Sequence, residues 1–289
     1  RSSDLIGINS GRMYFKNCKL GGTTDYICGS ATAVFDNCEL YTNAGPSQAE
    51  SATVTAPSST VDTEGYLFFN CHITGSKTST SGSFGRPWGA NGGPAAHYIN
   101  TIIDNAGSGG GKLIGSAGWS AMSGNKPENA RFGEYNSIDS SGNKIDTSGR
   151  TKGTVLNEWT MLRYNPLTFT LGNDGWDPAG LISTYADVNN VLNTTTIDTS
   201  DSTTNEIALP QAPSGYEFKW ESVSEFAKVS SDGTKVTLIR PAFGEQPIDA
   251  AIKLYVRESG NKEIGAEKSI KFSILPTSDT ENVFNVSGT

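Results

Sequence analysis

The sequence predicts an all-β protein that consists of a parallel β-helix followed by a small immunoglobulin-like β-sandwich. Two observations predict this fold class. A short phrase, Asn followed by a small residue, any residue and then Leu or Ile, recurs through the first half of the chain, and short alternating segments fill its last third. The composition agrees, because Gly, Ser, Thr and Asn are abundant and strong helix formers are few.

The repeated phrase begins at five asparagines: Asn17, Asn37, Asn70, Asn100 and, in a weaker copy, Asn136. Aromatic residues precede most copies by two or three positions: Phe15, Phe35, Phe68 and Tyr98. The unequal intervals between copies indicate a solenoid with loops of different length inserted on one side. The shortest interval, about 20 residues, suits one coil of a β-helix, in which equivalent positions on successive coils lie about 4.8 Å apart. A plain β-sandwich would not repeat Asn and Cys in register.

Three segments between the phrases, 42–65, 74–97 and 104–130, are rich in Ser, Thr, Gly and Pro. We expect them to form loops that rise from one face of the solenoid and border a groove.

Three of the four cysteines, Cys18, Cys38 and Cys71, occupy the same place in the phrase, and Cys28 is the fourth. Their spacing is not that of a zinc or redox CxxC site. Two interpretations stay open: a ladder of buried free thiols, or a disulfide between adjacent coils.

The pattern changes in the second half of the chain. We expect a β-helix over residues 1–185, a polar linker over 186–205, an immunoglobulin-like sandwich over 206–276 and a polar tail or linker over 277–289. The strand candidates of the sandwich are 216–220, which contains Trp220, and then 235–239, 251–256 and 269–274. Because the chain begins at Arg1 within repeat sequence and shows no signal peptide, we expect upstream coils and a targeting signal to be missing.

Charge and hydropathy exclude some classes of partner. The net charge is −8 and no Lys/Arg cluster occurs, which argues against nucleic acid. No apolar run approaches the roughly 18 residues of a membrane span. We expect a monomer that needs no metal or cofactor.

The segment Gly22-Thr23-Thr24-Asp25-Tyr26-Ile27-Cys28-Gly29 places an acidic residue in an apolar, β-prone context between two copies of the phrase. Asp4 precedes Asp25 by about one coil, so the two side chains are expected to project from adjacent coils. Neighbouring carboxylates titrate as a pair, so that one can attack while the other donates a proton. This pair predicts hydrolysis by a carboxylate nucleophile. The alternative is that Asp25 is a turn residue and Asp4 has no role.

A second segment, Phe84-Gly85-Arg86-Pro87-Trp88, offers a countercharge and a flat ring. An Arg that precedes Pro is restricted to an extended backbone, and its guanidinium can pair with a carboxylate. Trp88 can stack on a sugar ring. The alternative is an Arg packed on a Trp at a turn.

These two segments, together with Gly118-Trp119 and Glu134-Tyr135 in the same order, resemble the pectin methylesterase family. The resemblance runs from residue 1 to about 180. It implies a right-handed parallel β-helix that hydrolyses the methyl esters of polygalacturonate (pectin) without a metal, in an extracellular bacterial protein.

The resemblance also implies roles for individual residues. Asp25 matches the nucleophile, Asp4 the acid/base, and Arg86 the arginine that orients the nucleophile. The implied substrate-binding residues are Trp88, Tyr26 and Ser3.

The sequence departs from the family pattern at four positions. Ser3 stands where the family has an oxyanion-binding Gln, Gly7 and Cys28 replace two aromatic residues, and Pro57 replaces a second Gln. Loss of one oxyanion donor typically lowers the rate about 10²–10³-fold. A catalytically weakened or inactive polysaccharide-binding β-helix is therefore the alternative, and a pectate lyase is a more remote one.

The two histidines, His72 and His97, are expected to be surface or loop residues. A Ser–His esterase is not predicted, because no GxSxG motif occurs.

Overall fold

The structure is a computed structural model that describes residues 5–43, 53–76, 81–89, 92–104, 112–150, 153–199 and 204–278. The chain divides into two compact units, Arg1–Leu181 and Ile182–Thr289. Their boundary lies close to the predicted end of the β-helix at residue 185.

The first unit is built from short strands. In chain order they are β1 (Ile6–Gly7), β2 (Arg12–Lys16), β3 (Lys19–Gly22), β4 (Thr24–Gly29), β5 (Thr32–Asp36), β6 (Glu39–Thr42), β7 (Thr53–Pro57), β8 (Tyr66–Phe69), β9 (His72–Gly75), β10 (Ser83–Gly85), β11 (Ala95–Ile99), β12 (Ile102–Ile103), β13 (Arg131–Tyr135), β14 (Ile138–Asp139) and β15 (Thr154–Val155). Two 3₁₀-helices, Pro127–Asn129 and Thr160–Arg163, and one α-helix, α1 (Pro166–Thr170), complete the described elements of this unit.

These strands form three parallel sheets, in the orders β1-β4-β7-β10, β15-β13-β11-β8-β5-β2 and β14-β12-β9-β6-β3. The first four coils each contribute one strand to each sheet, and β13, β14 and β15 extend the second and third sheets. This is the arrangement of a parallel β-helix. The predicted solenoid is confirmed, and the first of the three sheets carries Asp25.

The repeated asparagines form the corner between two of the sheets. All five have positive φ values: 54° at Asn17, 52° at Asn37, and 54° at Asn70, Asn100 and Asn136. Asn adopts this left-handed conformation more readily than other non-glycine residues. Its side chains also bond between coils, since Asn37 Nδ2 donates to Asn17 Oδ1 at 2.7 Å and Asn136 Nδ2 to Asn100 Oδ1 at 3.0 Å.

The aromatic residue of each phrase points into the core. The rings of Phe15, Phe35, Phe68 and Tyr98 stack from coil to coil, with successive centroids 4.9, 4.9 and 4.3 Å apart. The repeat therefore supplies both the corner and a continuous apolar column.

All four cysteines are free thiols. Cys71 Sγ donates to the carbonyl oxygen of Phe35 at 3.1 Å, and Cys38 Sγ lies 3.5 Å from that of Phe15, one coil earlier. Of the two open interpretations, the structure has the ladder of thiols.

The α1 helix packs against β2, β5 and β8. Asn165 caps its N-terminus by accepting a hydrogen bond from the Thr168 amide at 2.9 Å. Arg12 fixes its other end, because its guanidinium donates to the carbonyl oxygen of Thr170 and pairs with Asp174 at 2.6 Å.

The predicted exposure of His97 is wrong. This residue lies in β11, is buried, and stacks on the ring of Tyr164 with centroids 3.9 Å apart. His72, in β9, is partly exposed and its Nε2 lies 2.7 Å from Asp104 Oδ1.

The second unit contains α2 (Ile182–Thr194) and strands β16 (Glu206–Ala208), β17 (Tyr216–Ser222), β18 (Ala227–Val229), β19 (Lys235–Leu238), β20 (Ile248–Glu258) and β21 (Gly265–Ile274). They form two antiparallel sheets, β16-β19-β18 and β17-β20-β21. The four predicted strand segments coincide with β17, β19, β20 and β21. The immunoglobulin-like assignment itself stays a prediction.

The predicted linker over 186–205 differs from the structure, because its first nine residues belong to α2. Tyr185, Val188 and Leu192 are buried on one face of this helix, which packs against β20 and β21. Most of the predicted tail, from residue 279 onward, lies outside the described residues.

Candidate active site

Asp25 lies at an irregularity in the strand β4. The pairing of β4 with β7 shifts between Thr24, which pairs with Thr53, and Ile27, which pairs with Thr55. Asp25 itself has a φ of 52°, a left-handed conformation that is uncommon outside glycine, asparagine and aspartate. Such irregularities re-aim a side chain and occur often beside active sites. Because of this bulge, the direction of the Asp25 side chain is not set by the regular alternation of side chains along β4.

The carboxylate of Asp25 is held by Arg86 through two parallel contacts. Arg86 Nε donates to Asp25 Oδ1 at 2.9 Å, and Arg86 Nη2 donates to Asp25 Oδ2 at 2.5 Å. The side chain of Asp25 is 8% exposed and that of Arg86 is 30% exposed. A bidentate guanidinium fixes both the charge and the rotamer of a carboxylate, and leaves its remaining lone pairs free to accept or attack.

The backbone of Arg86 is fixed by the neighbouring coil. It follows β10, and its amide donates to the carbonyl oxygen of Thr55 in β7 at 3.0 Å. A Cβ at Gly85 would lie 2.8 Å from Thr55 Cγ2 and 2.9 Å from the Thr55 carbonyl oxygen, so only glycine allows this approach. The Arg86 side chain can therefore reach Asp25 across the intervening strand.

Trp88 provides an exposed apolar surface close in sequence to this pair. Its side chain is 47% exposed, while its amide donates to the carbonyl oxygen of Pro57 at 2.9 Å. An indole with a fixed backbone and an open face is suited to stacking on a sugar ring.

The predicted substrate contact of Tyr26 is wrong. Its side chain is fully buried in the core, and burial raises the pKa of its phenol above the usual range. Its ring belongs to the apolar core of the first unit.

Asp4 and Ser3 lie outside the described residues, so their roles stay predictions. The two positions at which aromatic residues are missing face each other, since Gly7 in β1 pairs with Cys28 in β4. Cys28 is 4% exposed.

The later motifs of the resemblance are structural. Trp119 is buried and stacks on Phe132 with centroids 4.3 Å apart. Glu134 is buried and forms an ion pair with Arg150, and it also accepts from Ser137 Oγ at 2.7 Å. Arg150 donates in addition to the carbonyl oxygens of the turn before Trp119, at Gly115 and Ser116. These groups brace the coil beside the Phe84–Trp88 segment.

Sequence reasoning missed Arg150 and Arg131, both of which hold loops by bonds to backbone carbonyl oxygens. The Glu134-Tyr135 phrase could have indicated a cation such as Arg150, since a buried Glu needs a cationic partner, but no signal in the sequence points to Arg131. Within the described residues, no group of His, Cys, Asp and Glu side chains is arranged to hold a metal ion.

A comparison with protein families decides the classification. The family model described as Pectinesterase matches residues 3–173, which is more than half of the chain. The chain belongs to the pectinesterase family. The predicted site residues all lie within the matched segment, whereas the second unit lies beyond it.

Individual pectinesterases match over part of their length. Pectinesterase 1 of Citrus sinensis is 33% identical over 157 residues, which are 52% of this chain and 25% of that protein. Pectinesterase 2 of Citrus sinensis is 27% identical over 193 residues, which are 61% of this chain and 34% of that protein. The chain thus spans between a quarter and about a third of the length of these pectinesterases.

Solved pectinesterase structures are similar over a comparable region. The pectin methylesterase of Aspergillus niger is 25% identical, with a TM-score of 0.46, over 60% of this chain and 52% of that chain. The pectin methylesterase from carrot is 24% identical, with a TM-score of 0.45, over 58% of this chain and 52% of that chain.

No helix within the described ranges of this pectinesterase-family chain is long and apolar enough to cross a membrane.

Proposed function

We propose that this protein hydrolyses the methyl esters of polygalacturonate, giving pectate and methanol, with Asp25 as the nucleophile. The observation that carries the proposal is the bidentate pairing of Arg86 with the nearly buried carboxylate of Asp25, inside the segment that matches the pectinesterase family. Such a carboxylate has a single orientation and a low-dielectric surrounding, which are the requirements of an oriented nucleophile.

The reaction proceeds in two steps. An Oδ atom of Asp25 attacks the ester carbonyl carbon, and collapse of the tetrahedral intermediate breaks the bond to the methoxy oxygen. Asp4 donates its proton to that oxygen, so methanol leaves and a mixed anhydride links Asp25 to the galacturonate. Water then gives a proton to Asp4 while its hydroxide attacks the galacturonyl carbon of the anhydride. This restores the Asp25 carboxylate and releases galacturonic acid, which loses its proton to solvent.

The interval between the two carboxylates supports the role of Asp4. β1 pairs with β4 at an offset of 21 residues, as in Ile6 with Ile27, and Asp4 precedes Asp25 by the same interval. We further propose that Ser3, next to Asp4, contacts the substrate ester, and that Trp88 stacks on a galacturonate ring.

The substrate places the protein outside the cell, where pectin occurs, and the mechanism needs no metal. We propose that it acts as a secreted or cell-surface monomer. The second unit has no role in the proposed chemistry.

Product analysis on methylated pectin tests this function. We expect methanol release in equal amount to new carboxylate, with no unsaturated, ultraviolet-absorbing product. An unsaturated product without methanol would identify a lyase, and binding of pectin without either product would identify a non-catalytic polysaccharide-binding protein. Either result contradicts the proposal.

A further inference from the structure

Arg131, at the start of β13, joins two loop segments. Its Nε donates to the carbonyl oxygens of Gly92 and Gly93, both at 3.2 Å. Its Nη2 donates to the carbonyl oxygens of Thr60 at 2.6 Å, Thr63 at 2.7 Å and Gly93 at 2.7 Å. Every hydrogen bond that the described structure gives this guanidinium ends on a backbone carbonyl oxygen of segments 58–63 or 92–94. A planar fork of donors is the side chain that can serve both segments at once.

The two segments are also joined to each other by Ser59. Its hydroxyl donates to the carbonyl oxygen of Gly93 at 3.2 Å and accepts from the amide of Ala95 at 2.9 Å. Ser59 is buried, so this bridge has no access to competing water. Arg131 and Ser59 together fix the segments as one layer.

The exposed Trp88 rests on this layer. Its amide donates to the carbonyl oxygen of Pro57, the residue that precedes segment 58–63. A Cβ at the following Gly89 would lie 3.4 Å from Pro94 Cγ and 3.6 Å from Ser58 Cα, so both segments are in contact with the backbone there. A shift of either segment would therefore move the indole.

We infer that Arg131 is a positioning residue for the substrate contact made by Trp88. The inference rests on the proposed function, and extends it to a residue that lies behind the binding surface and touches no substrate. Arg131 holds in place the two loop segments that pack under Trp88, and the indole of Trp88 stacks on the sugar ring.

The nucleophile is supported separately. The Asp25–Arg86 pair depends on β4, on β10 and on the bond from the Arg86 amide to Thr55. None of these groups bonds to Arg131 in the described structure. Loss of Arg131 should thus weaken binding of substrate and transition state alike, which raises KM and leaves kcat unchanged.

The variant Arg131→Met keeps an unbranched, apolar side-chain stem but removes all five donated bonds. We expect KM for methylated pectin to rise about 3–10-fold, the loss of a well-placed ring contact, with kcat within about twofold. The dissociation constant of a methylated oligogalacturonate should rise by the same factor. In a Trp88→Ala background, Arg131→Met should have no further effect on either quantity.

The matched control is Arg163→Met. It removes an ion pair in which Arg163 Nη2 lies 2.8 Å from Glu64 Oε2, beside the same loops, and it should leave KM unchanged. Arg131→Lys, which retains the charge and up to three donors, should give an intermediate KM and replaces the Met variant if the latter does not fold.

The inference would be overturned if Arg131→Met raised KM as much in the Trp88→Ala background as in the wild type, or if it lowered kcat with unchanged KM. Because affinity is measured besides methanol release, a wild-type protein that binds the oligomer without hydrolysing it refutes the proposed function alone. One that neither binds nor hydrolyses it refutes both.

Discussion

At the scale of single residues, the central feature is the carboxylate of Asp25 in β4, which the guanidinium of Arg86 holds from beyond the intervening strand β7. Both partners could be predicted from the sequence, Asp25 from its place between two repeats and Arg86 from its place before Pro87. The left-handed backbone of Asp25 could not, because it arises from the register shift between β4 and β7. Tyr26 is a fully buried core residue, which explains why its predicted substrate contact is wrong.

Replacement of Arg86 by Lys should separate the effect of charge from that of geometry. Lys keeps the positive charge but cannot make two parallel bonds to Asp25, so the carboxylate loses its fixed orientation. We expect kcat for methylated pectin to fall about 10–100-fold, as is typical when a reacting group is misplaced by about 1 Å.

Initial rates of methanol release measure this effect, and circular dichroism verifies the fold. Arg12→Lys, which alters a guanidinium paired with Asp174, is the control and should retain the wild-type rate. A fully active Arg86→Lys variant would show that the bidentate geometry is not needed.

His97 gives the stability of the first unit a dependence on pH. Burial, and after it the charges of Arg131 and Arg163, lower the pKa of His97 to about 3. In the unfolded chain the pKa is about 6.5, so between these values the unfolded state binds the extra proton. Stability must therefore fall as the pH decreases from about 6.5 to about 3, by at most about 1.4 kcal/mol per pH unit from this residue.

His97→Phe should reduce this dependence, because Phe keeps the ring that stacks on Tyr164 and binds no proton. Urea unfolding at several pH values measures it, with His72→Gln, a change at a partly exposed position, as the control. The free energy of unfolding of the Phe variant minus that of the wild type should increase as the pH falls. Parallel curves would contradict the assignment.

At the scale of elements, the coils could be predicted from the repeated phrase because the same turn of each coil requires the same type of residue. The turn between two strands of each coil needs a left-handed residue, and Asn occupies it five times. The helix α2 was missed because its buried residues, Tyr185, Val188 and Leu192, are surrounded by Asn, Thr and Asp, which are weak helix formers. Its contacts with β20 and β21 supply what the local sequence lacks.

The corner geometry predicts an order of stability at Asn70, where φ is 54°. Asn70→Gly should be close to neutral, since Gly adopts this conformation without steric cost. Asn70→Ala should be less stable than Asn70→Gly by about 1–2 kcal/mol, because Ala has a Cβ and lacks the polar side chain whose local hydrogen bonds let Asn adopt the left-handed region. Urea unfolding monitored by circular dichroism gives both values, and an Ala variant as stable as the Gly variant would contradict the proposed role of the corner.

At the scale of the whole molecule, the solenoid and four strands of the second unit could be predicted from the sequence. Alternation and repetition are local properties, so a single sequence carries them. The loops that frame the site are different, because Arg131 and Arg150 hold them by bonds to backbone carbonyl oxygens that are distant in the chain. No short motif encodes such contacts, and only the folded chain displays them.

Methanol release by Asp25→Asn tests the role of Asp25 most directly, because this variant keeps the size of the side chain and removes its nucleophilic charge. We expect a methylated oligogalacturonate still to bind with an affinity close to that of the wild type, while methanol release falls to the level without enzyme. Asp104→Asn, a change directly after β12 at a carboxylate bonded to His72, should release methanol at the wild-type rate. Continued release by the Asp25→Asn variant would contradict the assignment of Asp25 as the nucleophile.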